Sequence, residues 1–310
     1  MKTCFVFPGQ GSQYQGMGKD LYEASKEVRD LFQLASDRCH IDTKALLFEG
    51  TDEELKATDK AQLAITLHNI AAAVYLRSVG IEADIVAGHS LGEFAALTYA
   101  GVLDYEAVFP LVQNRGLLMA KASENIDKSN GAPGMAAVIG LDPDVLASEL
   151  LTANIEGLYV ANFNSPKQLV LSGTAEGITK GQSFCKDLGA RRYLPLKVSG
   201  PFHSPLMSEA ASDFEAYIKD INFKDPNLSL YSNVTGAKIE KGSEAKDLAV
   251  KQIVSSVQWV KEEQAILNEG INRIVEVGPG SVLSGLWKAF NSDIKCHLAG
   301  TVESVMNIQE

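Results

Sequence analysis

The 310-residue chain has only four cysteines, Cys4, Cys39, Cys185 and Cys296, more than 30 residues apart and without a C-x-x-C pair or a histidine at ligand spacing. That scarcity argues against a disulfide framework and a structural zinc. The five histidines, His40, His68, His89, His203 and His297, are equally scattered, so a site that uses one must be assembled by the fold. Positive charge is also short, with 28 Lys and Arg against 39 Asp and Glu and a net charge of −11. A surface of that sign repels a nucleic-acid backbone or an anionic membrane face. Apolar runs such as Ile70 to Leu76 are far shorter than a membrane span, and the start MKTCFVFPGQG has only Cys4 to Phe7 where a signal peptide needs a longer apolar region. A cytoplasmic protein with no membrane and no nucleic-acid partner is the expectation. What is present, 45% hydrophobic and 22% charged residues, is the composition of a folded chain rather than a disordered or collagen-like one.

A short apolar strand, Thr3 to Phe7, precedes the Gly-rich turn PGQGSQYQGMG. This turn departs from the dinucleotide fingerprint, because Tyr14 stands at the third glycine position and no apolar helix pattern follows at once. An Ala- and Leu-rich helix is expected over about 62–78, a buried strand over 83–88, and helices over 91–100 and 104–122. SENIDKSNGAPG then reads as a linker. Beyond it the pattern is strand 135–139, a helix from Asp142 with Pro143 in its first turn, strands 158–161 and 168–171, helix 174–188 and strand 191–198. That is the β-α-β-β-α-β order of a ferredoxin-like unit, and it predicts an inserted subdomain over residues 126–199. The larger domain would resume at SGPFHSP with a helix near 206–219, a strand near 228–232, helices across 244–269 and the strand 273–277 leading into GPGS.

Gly88-His89-Ser90-Leu91-Gly92 matches G-x-S-x-G and lies between the buried strand and the following helix. Such a turn needs small flanking residues, since it is sharp and exposes the serine hydroxyl beside helix-terminal N–H groups able to meet an oxyanion. The competing reading is a capping box, because Ser90 and Glu93 also spell S-x-x-E. In the next helix Val108, Leu111, Val112, Leu118 and Met119 mark a buried stripe, and Arg115 falls on it. A buried guanidinium needs an anion, either an internal Asp or Glu or a substrate carboxylate held by two prongs. Serine chemistry also needs a base. His89 should point to the other side of its strand, His68 lies in an apolar helix, and His40 and His297 sit in segments without other signals. His203 is left, in a Gly- and Pro-rich turn.

Five motifs now stand in order: FPGQGSQ at 7–13, AGHSLGEFAAL at 87–97, QNRGLLM at 113–119, SGPFHSPLM at 199–207, and KQIVSSVQW with EVGPG near the end. Together, over nearly the whole chain, they resemble the malonyl-CoA:acyl carrier protein transacylase family. The resemblance implies an α/β fold, with a large α/β-hydrolase-like domain over residues 1–125 and 200–310 and the small ferredoxin-like subdomain over 126–199. It implies Ser90 as the acylated nucleophile and His203 as base and acid. Gln10 and the backbone N–H of Leu91 would form the oxyanion hole, Arg115 would hold the malonyl carboxylate, and the backbone carbonyl of Gln252 would orient the histidine. Malonyl-CoA and acyl carrier protein would be the partners, with no metal and no cofactor. Ser256 departs from the proline common in the family before V-x-W and bears on the path near Gln252. Arg191 and Arg192 are candidates for a local basic patch that an acidic carrier would need on an acidic enzyme, against a plain solvated strand end. Loading of polyketide synthase carrier domains, thioester hydrolysis, and a non-catalytic carrier-binding module are the other readings these residues allow.

Overall fold

The computed structural model describes residues 1–309. β1 (Thr3–Phe7) is followed by α1 (Lys19–Ala24), α2 (Lys26–Cys39), α3 (Thr43–Glu49), α4 (Asp52–Lys56) and α5 (Thr58–Ser78). The sequence reading placed no helix before residue 62, yet α2 carries Val28, Leu31, Phe32, Ala35 and Cys39 on one buried face behind a Ser25 N-cap. That three- and four-residue spacing is an ordinary amphipathic signal; it begins ten residues beyond Gly18. β2 (Ile85–Gly88) runs into α6 (Gly92–Tyr99), and α7 (Tyr105–Asn125) starts on Asp104, whose carboxylate accepts from the Ala107 N–H.

Next come β3 (Gly134–Ile139), α8 (Pro143–Ala153), β4 (Leu158–Ser165), β5 (Gln168–Gly173), α9 (Ala175–Asp187) and β6 (Arg192–Pro195). These form an antiparallel sheet in the order β4-β5-β3-β6, with the anticipated β-α-β-β-α-β connectivity. The chain continues through a 3-10 turn at Pro205–Met207 into α10 (Ser208–Ile218), β7 (Ser229–Leu230), α11 (Gly242–Lys251), α12 (Trp259–Asn268), β8 (Arg273–Glu276), α13 (Val282–Phe290), β9 (Cys296–Leu298) and α14 (Val302–Gln309).

The second sheet is parallel, ordered β7-β2-β1-β8-β9, and β1 and β2 are buried at every position. Alternation along a strand divides its side chains between two faces. Phe5, Phe7, Val86 and Val275 pack with α2, α5, α6 and α7, while Cys4, Val6, Ile85 and Ala87 pack with Trp259 and Trp287 of α12 and α13. Helices on both faces account for the unbroken apolar runs CFVF and IVAG. The antiparallel sheet is tied to the segment before α12 near residue 257: Val257 N–H donates to Ala161 O, Phe163 N–H to Val257 O, and the Ser256 hydroxyl to Val160 O at 2.6 Å. Ser256 thus fastens the segment after Gln252 to β4. Among the described residues no helix is long and apolar enough to cross a membrane.

Candidate active site

The C-terminal end of β2 turns sharply into α6. His89 N–H still donates to Phe7 O, continuing the ladder with β1, and at Ser90 the backbone enters the left-handed region with φ 52°. A non-glycine residue there carries strain of order 1–3 kcal/mol, which surrounding contacts must hold in place. The flanking glycines permit the turn: a Cβ on Gly88 would fall on the backbone of Gly92, and one on Gly92 would fall on the Phe7 carbonyl oxygen. Gly9, in the turn after β1, packs as closely, its absent Cβ lying 2.5 Å from His89 O.

The capping-box alternative is not realised. α6 has no side-chain cap, and the Ser90 Oγ instead lies 2.7 Å from His203 Nε2. His203 Nδ1 is 2.8 Å from the backbone O of Gln252. That carbonyl can only accept, so Nδ1 carries the hydrogen and Nε2 is the acceptor for the serine hydroxyl. His203 also has positive φ, 57°, in a turn closed by the Ser204 hydroxyl donating to Pro201 O. Burial, and then the nearby Arg115 charge, depress its pKa to about 3, so the ring is neutral at pH 7.

Arg115 is 1% exposed. Its Nη1 donates to Gln62 Oε1 and its Nη2 to Gln252 Oε1, both at 2.9 Å, with the guanidinium over the Phe94 ring. Among the described residues it has no ion pair, and Nε has no acceptor. The internal-carboxylate partner weighed from the sequence is therefore absent from its hydrogen-bonding shell. Glu93 is near enough to favour the charge, but burial raises Glu93 itself to about 7 and lowers Arg115 to about 10. A buried cation is left with neutral amide partners and unused N–H groups.

A cavity of about 280 Å³ joins these groups, lined by Gln10, Ser90, Leu91, Arg115 and His203 together with apolar walls such as Met119 and Phe202. The side chain of Gln10 and the N–H of Leu91 make no hydrogen bond within the described chain, so both remain available to an oxygen in the cavity. All six residues singled out in the sequence converge here, Gln252 from behind Arg115 and His203. His89 lies on the Ala87 and Trp259 side of its strand, as read: its Nε2 pairs with Asn164 Oδ1 at 2.8 Å and its ring lies edge-on to Trp259, although it also lines the cavity. The sequence reading missed Gln62, a polar residue on a buried face of α5, and the cluster under the turn, where Glu93, read only as a capping partner, joins Asn233 and Glu262. The faint signal for Gln62 is its place in an Ala-rich helix; the cluster unites distant segments and leaves no spacing to read.

A family model for the acyl transferase domain matches residues 4–304. The chain is 37% identical over 306 residues to the malonyl CoA-acyl carrier protein transacylase of Bacillus subtilis, covering 98% of this chain and 95% of that protein. The solved acyl-carrier-protein S-malonyltransferase of Burkholderia pseudomallei superposes with a TM-score of 0.93 at 35% identity, covering 99% of each chain. A malonyl-transacylase solved in complex with its type II PKS acyl-carrier protein matches with a TM-score of 0.93 at 33% identity, covering 99% of this chain and 98% of that one. The motif order, the cavity and these likenesses agree, and the chain belongs to the acyl transferase family, among the malonyl-CoA:acyl carrier protein transacylases.

Proposed function

We propose that this chain moves a malonyl group from malonyl-CoA to the phosphopantetheine thiol of acyl carrier protein, in fatty acid synthesis, through a malonyl-serine intermediate. The observation that carries this reading is a buried, carboxylate-free arginine opening onto the same cavity as a hydrogen-bonded Ser90–His203 pair. His203 Nε2 takes the hydroxyl proton as Ser90 Oγ bonds to the thioester carbonyl carbon. The carbonyl oxygen becomes an oxyanion facing Gln10 and the Leu91 N–H, where each donor is worth roughly 3–4 kcal/mol in related acyl transfer. The C–S bond then breaks, and His203 returns the proton to the departing CoA sulfur. The second half runs in reverse, with the carrier thiol giving its proton to His203, attacking the malonyl ester and releasing Ser90. The hydrogen bond to the Gln252 carbonyl holds the ring in one tautomer, without a carboxylate in the histidine's shell. These are nucleophile and proton steps, which call for no metal and no cofactor.

Malonyl selectivity follows from Arg115. Its Nε–H and one hydrogen on each Nη remain after the two glutamine contacts, enough for a two-pronged grip on a carboxylate. An acetyl group would leave the buried charge unanswered. The large domain, residues 1–125 and 200–310, is proposed as α/β-hydrolase-like on its strand–turn–helix nucleophile elbow, and residues 126–199 as a ferredoxin-like subdomain on its strand order. A cytoplasmic site fits the unpaired thiols of Cys4, Cys39 and Cys185. Arg191 and Arg192, exposed at the start of β6, are proposed carrier contacts; charge reversal should raise the apparent KM for carrier protein at low salt, and an unchanged KM refutes the contact. Intact-protein mass spectrometry after a brief mix with malonyl-CoA tests the central step. A malonyl adduct on the wild type, cleared by acyl carrier protein and absent from Ser90→Ala, is the expected result. An adduct that persists on Ser90→Ala overturns the assignment.

A further inference from the structure

β7 pairs with β2 only through Ser229 and Leu230, and Tyr231 N–H still reaches Val86 O at 3.3 Å. Beyond that the backbone turns away, and the next positions of β2 are those of the strained nucleophile turn. A parallel strand would offer this stretch one donor to the Gly88 carbonyl and one acceptor to the Ser90 N–H. The side-chain amide of Asn233 supplies both. Its Nδ2 donates to Gly88 O at 2.7 Å, and its Oδ1 accepts from Ser90 N–H at 2.6 Å.

Asn233 is itself held on two further sides. Its backbone N–H donates to Glu93 Oε2 at 2.9 Å, and Nδ2 also donates to Glu262 Oε1 at 2.8 Å. The Gly88 carbonyl can only accept and the Ser90 N–H can only donate, which settles which end of the amide is nitrogen, so the oxygen faces Ser90. Gln252 closes the cluster, donating through Nε2 to Ser90 O at 3.1 Å and to Glu93 Oε2 at 2.8 Å. The residue is fully buried, as are Glu93 and Glu262.

We propose that Asn233 is a positioning residue for acyl transfer, a side-chain rung that replaces the missing end of β7 and clamps the Gly88–Ser90 turn. It has two effects on the reaction. The clamp holds Ser90 at φ 52°, the conformation that presents Oγ to His203. It also engages the Ser90 N–H from behind, leaving the Leu91 N–H as the turn's donor to the oxyanion. Without the amide, relaxation of the strained serine toward ordinary backbone angles would displace Oγ, and a displacement near 1 Å costs on the order of 100-fold in rate.

The inference rests on Ser90 being the acylated residue, so the experiment reads that step directly. Rapid-quench acylation by malonyl-CoA is measured for wild type, Asn233→Ala and the isosteric Asn233→Asp, with thermal melts alongside. Asn233→Asp keeps an acceptor for the Ser90 N–H but, even protonated by burial, has one hydrogen where the amide gives two, so it cannot serve both Gly88 O and Glu262 and carries the test if the alanine variant does not fold. Both variants are expected to acylate with an undiminished burst amplitude, a KM for malonyl-CoA within about twofold of wild type, and a burst rate constant lowered on the order of 10- to 100-fold. A burst rate equal to that of wild type in the folded variants overturns the positioning role. So does a loss confined to amplitude, which is the mark of a smaller folded fraction. A wild type that forms no acyl-enzyme counts instead against the reading of Ser90, and the two failures are told apart by that control.

Discussion

Replacing Arg115 by alanine separates a substrate-binding arginine from a structural one. Bound malonyl would receive two charge-assisted hydrogen bonds from the guanidinium, at about 1.5–3 kcal/mol each. In a site 1% exposed, water cannot substitute freely, so their loss amounts to about 3–5 kcal/mol. At 1.36 kcal/mol per decade this is roughly a 150- to 5000-fold fall in kcat/KM for malonyl-CoA. Acetyl-CoA makes no such contact and faces an unpaired buried cation, so its transfer should hold or rise. The direction is reinforced at His203, whose pKa is held down in part by Arg115; removing that charge makes the base stronger for any acyl group. The substitution does leave Gln62 Oε1 and Gln252 Oε1 without their donor, which lowers stability for both substrates alike. Single-turnover acylation with malonyl-CoA and acetyl-CoA, normalised to folded protein, cancels that common loss. A ratio shifted at least 100-fold toward acetyl is expected; equal losses with the two substrates refute the carboxylate grip.

The depressed pKa of His203, about 3 against an ordinary 6.5, predicts that kcat/KM for malonyl-CoA does not fall as pH drops from 7 to 5, and an acid limb centred near 6.5 would show that the free enzyme's histidine is not desolvated. Gly92→Ala should yield protein with little or no acylation and a fold weakened by roughly 3 kcal/mol or more, since its Cβ meets the Phe7 carbonyl of the central strand; a melt and burst like those of wild type contradict the close approach. His68, buried with Nε2 against Gly300 O, has its pKa lowered to about 4 by burial. The unfolded chain takes up a proton below about 6.5 while the folded state resists until about 4, so this stability is present above 6.5 and is lost as pH falls toward 4. The change is about 3 kcal/mol. Urea unfolding of wild type and His68→Gln at pH 7 and 4.5 should show a shallower pH dependence in the variant, and parallel curves refute the assignment.

Much of the architecture could be read from local pattern. The runs CFVF and IVAG, without a polar side chain, identify strands covered on both faces, and the β-α-β-β-α-β order was visible because Pro143 and Thr174 mark helix starts and the intervening strands are short and apolar. Boundaries shifted where neighbours decide them: β6 stops at Pro195 although the apolar pattern runs on to Val198, whose side chain lines the cavity instead. The helices α1, α3 and α4 escaped because at five to seven residues they are too short to show a helical period, and α2 was passed over although its period is plain.

Local pattern was enough for the chemistry of the individual parts: a serine that only glycine neighbours could seat on so tight a turn, an arginine on a buried stripe, and a histidine in a turn of its own. Each is a local demand, of backbone conformation or of helical period. Whether Ser90 is a helix cap or faces a histidine, and whether Arg115 meets an internal carboxylate or glutamine oxygens, was settled by long-range packing. Those outcomes depend on atoms from β2, α5, α7, the turn at 199–204 and the end of α11 arriving within 3 Å of one another. Asn233 belongs wholly to that second class. Its side chain does the work of a strand, and no spacing in the chain announces where a strand will run out.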